Sequence, residues 1–76
     1  MASGAGLRFS EHARRRMEQR GVTEEDVGWA LKREVDRHPA DNGTVWVHGR
    51  PGGNRILKVL VPLDDRNYVI TVAWRD

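Results

Sequence analysis

Seventy-six residues make one domain, and a chain of that length hides only about 60% of its unfolded surface, so an enclosed catalytic cavity is excluded and any site is a surface groove. A hydrophobic fraction of 38%, a charged fraction of 32% and three tryptophans exclude a disordered chain, and the lack of cysteine excludes disulfides and thiolate metal sites and fits a reducing cytoplasm. The formal charge is only +2, from 13 basic and 11 acidic groups, so the distribution of charge says more than its total.

Met1 to Gly6 lacks the apolar core of a signal peptide and reads as a flexible tail, leaving 7–76 as a single α+β domain. No apolar run approaches the roughly 18 residues that would span a bilayer, so a cytoplasmic protein without a membrane partner is expected. Leu7 to Phe9 alternates as a short strand, with Arg8 outside. The stretch from Phe9 to Val22 organises the rest. Ser10 is an N-cap, Glu11 sits in the first turn, and Gly21 is a left-handed stop, which predicts a helix over 11–20. Phe9, Ala13 and Met17 form its apolar stripe, while His12, Arg16 and Arg20 recur at i, i+4 and i+8 along the edge.

Thr23 and Asp26 form a capping box for a second helix, with Val22 stapled to Val27 and a buried stripe of Val27, Ala30 and Leu31. Arg37-His38-Pro39 is expected to close this helical region. Asp41-Asn42-Gly43 is turn chemistry, followed by strands over 44–48, 55–61 and 68–74, joined by Pro51-Gly52-Gly53 and by Asp64 to Asn67. A helical hairpin on one face of a three- to four-stranded antiparallel sheet follows, because neither layer buries its apolar side alone. Leu57, Val59, Val61, Ile70 and Val72 are expected under the helices, and Ile56, Lys58, Leu60, Thr71 and Arg75 on the other face.

Five arginines stand against two glutamates between Arg8 and Arg20, a local basic surface. His12, Arg16 and Arg20 are therefore the candidate catalytic set for metal-independent RNA cleavage: an imidazole base, and forked donors for the phosphate. Arg8 and Arg15, with Lys58, Thr71 and Arg75, are the candidate nucleic-acid contacts. Trp46 and Trp74 are either base-stacking platforms or core. His38 and His48 show no metal-ligand spacing, and Gly52-Gly53 precedes no helix that would make it a phosphate loop, so neither a metal nor a cofactor is expected.

The run FSEHARRRMEQRGVTEEDV, followed later by YVITVAW, resembles a family of small bacterial domains of unknown function with an FSxHAxxRMxxRG signature. That family is grouped with small ribonuclease toxins similar to RelE, barnase and colicin nucleases. The resemblance implies a RelE-like fold, RNA as target, and an acidic antitoxin-like or immunity protein as partner. A non-catalytic nucleic-acid-binding or protein-interaction domain of the same fold is the alternative.

Overall fold

The computed structural model describes residues 6–75, so the tail expected over residues 1–6 lies, except for Gly6, outside the described residues. The elements run β1 (Arg8–Phe9), α1 (Glu11–Arg20), α2 (Glu24–Lys32), β2 (Glu34–Ala40), β3 (Thr44–Gly52), β4 (Arg55–Pro62), β5 (Tyr68–Val69) and β6 (Thr71–Arg75). Strands β2-β3-β4-β6 make one antiparallel sheet, and β1 pairs in parallel with β5. Both helices pack on one face of the four-stranded sheet, an α+β fold.

The helix ends follow from their capping residues. Ser10 Oγ accepts from the Ala13 N–H at 3.0 Å and donates to the Ile70 carbonyl at 2.7 Å, so the cap also ties α1 to the sheet. Gly21 stops α1 at φ 67°, where a Cβ would be strained. Thr23 and Asp26 exchange both capping-box bonds at 3.0 Å. The Arg66 guanidinium donates to the Leu31 carbonyl at 2.6 Å, satisfying an open acceptor at the end of α2.

The core is one cluster: Ala13 and Met17 of α1, Val22, the stripe Val27, Ala30 and Leu31 of α2, and Val45, Val47, Leu57, Val59, Val61, Val69 and Val72 beneath them. Phe9 is partly buried against it. Helix α2 lies over β3 and β4 so closely that a Cβ on Gly49 would sit 1.8 Å from the Ala30 carbonyl oxygen. Helix α1 lies over β6.

Two expectations are corrected. The stretch around Arg37-His38-Pro39 does not close a helix: α2 ends at Lys32 and the chain enters β2, which pairs with β3 about the Asp41-Asn42-Gly43 turn. Asn42 and Gly43 both take positive φ there, 61° and 71°. Strand β2 is a sheet edge with no buried residue, which is why it tolerates Pro39 and carries no apolar alternation. The last strand is also not continuous. Ile70 separates β5 from β6, so Val69 and Val72 are buried instead of Ile70 and Val72. The Ile70 N–H still donates to the Leu60 carbonyl at 2.8 Å, while the Val69 carbonyl accepts from the Ser10 N–H at 3.0 Å.

Candidate nucleic-acid interface

Register decides what the uncovered sheet face carries. Asp36, His48, Lys58 and Ala73 are Cα partners in one row across β2, β3, β4 and β6, and His38, Trp46, Leu60 and Thr71 form the next. Ile56 and Arg75 pair beyond them. Residues in register point to the same side of a sheet, and the alternate positions, Val47, Val59 and Val72, lie in the helix-covered core. Lys58, Thr71 and Arg75 therefore share the open face, as the alternation predicts, with two histidines beside them.

Those histidines form a linked polar group with Asp36 and Arg75. His38 and His48 are diagonal neighbours on β2 and β3, their ring centroids 4.7 Å apart and tilted by 51°. His38 Nε2 lies 3.0 Å from Asp36 Oδ2, and Arg75 Nη1 reaches over β4 to 3.2 Å from His48 Nδ1. A carboxylate only accepts and a guanidinium only donates, so the tautomers follow. His38 donates from Nε2 and keeps the Nδ1 lone pair, whereas neutral His48 accepts at Nδ1 and keeps its proton on Nε2.

The electrostatics agree with this geometry. His48 is 7% exposed, a buried polar residue on the uncovered side of the sheet. Burial first, then the charges of His38 and Arg75, hold its pKa below the usual imidazole value. The Asp36 carboxyl is held below its ordinary range by the Arg37 backbone N–H, with the neighbouring His38 adding to the effect. Lys58 Nζ stands 5.5 Å from the Trp46 ring centroid, so an aromatic plane and a cation adjoin the histidines. Among the described residues no group of three or more His, Cys, Asp or Glu is arranged to hold a metal ion.

The helix candidates are distributed differently. His12 and Arg15 are exposed and Arg16 is half-buried on α1, on the covered side of the sheet, away from the histidine pair. Arg8 is engaged in an ion pair with Asp65 and lies 5.7 Å from the Tyr68 ring, and neighbouring Arg14 pairs with Glu24 at 3.3 Å. Arg20, at the end of α1, comes together with Arg55 and Trp74 at the β6 edge. Sequence reasoning weighed His38 and His48 only as metal ligands and left Asp36 out of any site. The available signal was the Asn42-Gly43 turn: a strand on each side of it sets Asp36 and His38 against His48 and Trp46.

A family model described as Domain of unknown function (DUF4258) matches residues 9–74. No curated protein and no solved structure matches the chain. Among the described residues no helix is long and apolar enough to cross a membrane.

Proposed function

The chain belongs to that family of domains of unknown function, and we propose that its open sheet face binds single-stranded RNA and cleaves it without a metal ion, with the Asp36–His38 pair as the base. The observation that carries the reading is the linked set Asp36, His38, His48 and Arg75 beside Lys58 and Trp46, on a face that no helix covers. RNA brings its own nucleophile. His38 Nδ1 takes the proton of a 2′-hydroxyl, the 2′ oxygen bonds to the adjacent phosphorus, and the bond from phosphorus to the 5′ oxygen breaks. The products are a 2′,3′-cyclic phosphate and a 5′-hydroxyl that takes its proton from the His38 imidazolium. Lys58 and Arg75 offset the charge that builds on the phosphorane oxygens, and Trp46 offers a surface for a base. The domain family whose signature the first helix resembles is grouped by fold with ribonuclease toxins, which makes RNA the target to test and an acidic protein the inhibitory partner to look for.

The competing base is His12, with Arg16 and Arg20. Total RNA incubated in chelator with the wild type and with His38→Ala, His48→Ala and His12→Ala separates the two. The proposal expects cyclic-phosphate ends from the wild type, a loss of about 10²- to 10⁴-fold in His38→Ala, and near-normal cleavage by His12→Ala. Cleavage that survives His38→Ala and disappears in His12→Ala moves the base to the helix. Binding without cleavage by the wild type leaves the non-catalytic reading, which the Arg75 donor on His48 Nδ1 favours, because a neutral ring so held is a poor proton donor.

A further inference from the structure

A hollow of about 210 Å³ opens where the end of α1 meets β6, lined by Arg20, Arg55, Ala73 and Trp74. Trp74 is its wall: the Arg55 guanidinium stands 3.9 Å from the ring centroid, and the indole N–H donates to the Arg20 carbonyl at 3.0 Å. Among the described residues neither Arg20 nor Arg55 pairs with a carboxylate, whereas Arg8, Arg14, Arg37 and Arg66 all do. Two guanidinium groups thus border one open space that, among the described residues, is lined by no acidic side chain. A helix C-terminus by itself repels anions. Here two of its last four carbonyls are in use, with Met17 accepting from the Val22 N–H at 2.8 Å and Arg20 accepting from Trp74.

The hollow lies round the β6 edge from the row that carries the histidines: Ala73 ends that row, whereas Trp74, in register with buried Leu57, and Arg55 belong to the helix-covered side. Asp36, His48, Lys58 and Ala73 are in register, so Ala73 is three strand spacings of about 4.8 Å, or roughly 14 Å, from β2. Lys58 stands between them. We propose that the Arg20–Trp74–Arg55 hollow is a second phosphate subsite, and that it takes the phosphate of a nucleotide flanking the bond held at His38 and His48. A bound strand then runs across the β-strands, over Lys58, and turns round the β6 edge into the hollow. The identity of the ligand rests on the RNA reading above, while the anion site itself does not.

Two measurements on the full chain test this. In heteronuclear NMR, inorganic phosphate is expected to shift the Trp74 indole N–H saturably, with the signal assigned through Trp74→Phe. Arg20→Gln combined with Arg55→Gln is expected to remove the shift and leave the rest of the spectrum folded. No shift in the wild type, or the same shift in the double variant, overturns the subsite. Affinities for a 2′-O-methyl dinucleotide and octanucleotide are then followed against salt. The double variant is expected to lower the octanucleotide's log–log slope by about 0.7, one phosphate contact on a single strand, and to leave the dinucleotide unchanged. Equal losses for both lengths overturn the link between the hollow and the histidine row. If Lys58→Gln and Arg75→Gln leave both affinities at the wild-type level while phosphate still shifts Trp74, the RNA reading of the face fails and the anion site stands.

Discussion

Gly49→Ala strikes the contact that seats α2 on the sheet. A Cβ there would lie 1.8 Å from the Ala30 carbonyl oxygen, 2.5 Å from its carbon and 2.8 Å from Ala30 Cα. All three atoms are backbone, so no rotamer change relieves the clash. Reaching ordinary contact at 3.4 Å moves the helix outward by about 1.6 Å, which is 3.4 minus 1.8. That motion draws buried Val27, Ala30 and Leu31 away from Val47 and Leu57. Overpacking alone costs about 1–3 kcal/mol, and the loosened stripe adds to it, so a loss of about 3 kcal/mol or more is expected. At roughly 0.05–0.15 kcal/mol per residue, the whole domain holds only about 4–11 kcal/mol. Urea unfolding followed by tryptophan fluorescence reads the loss as a lower midpoint at constant slope. Because β3 carries Trp46 and His48, the His48 pKa is expected to move back toward its ordinary value in whatever folded population remains. A loss below about 1 kcal/mol, inside the ordinary range for single substitutions, would refute the close contact.

His48 is expected to titrate below 6.5 by proton NMR. Between its folded pKa and that value the unfolded chain binds more protons, so stability rises with pH through this window and falls as His48 is forced to charge; a pKa at or above 6.5 contradicts the burial. Met17→Ala, at a site 6% exposed, is expected to cost about 2–5 kcal/mol by urea unfolding, and a change too small to measure means that α1 is not seated on the core. Glu34 accepts from Arg37 at 2.6 Å and from Arg66 at 2.9 Å, and these contacts, led by Arg37, hold its carboxyl below 4.5. Its contribution is full above that ordinary value and lost as pH falls through the folded pKa, so Glu34→Gln should flatten the acid limb of the stability profile; parallel limbs in wild type and variant would exclude it.

Much of the fold was legible because its signals are local. Ser10, Gly21, Thr23 and Asp26 announce helix ends through their own side chains or φ, and Leu57, Val59 and Val61 alternate because one face of β4 is covered. Strand β2 offered nothing of the kind. Its sequence, Glu34 to Ala40, is held mainly by ladder bonds to β3, and five of its seven residues are exposed, so no hydrophobic period marks it and Pro39 mimics a helix stop. The break at Ile70 was equally hidden. It depends on Ser10 and Phe9, sixty residues away, drawing β5 into a separate parallel pair.

The same blindness fell on the site. Basic residues on an amphipathic helix are conspicuous in a sequence, since the period puts His12, Arg16 and Arg20 in a row whether or not anything faces them. The Asp36–His38–His48–Arg75 set has no period. It exists because three antiparallel pairings bring an edge strand, a central strand and the last strand onto one face, and a reading that ends the helical region at Pro39 removes its first two members. The two groups lie on opposite sides of the sheet and approach each other only at the β6 edge. Arg20, the last residue of the helix row, meets Arg55 and Trp74 at Ala73, the end of the cross-strand row that begins at Asp36 and passes over Lys58. The proposed strand path joins them round that edge, with the imidazole pair at its far end.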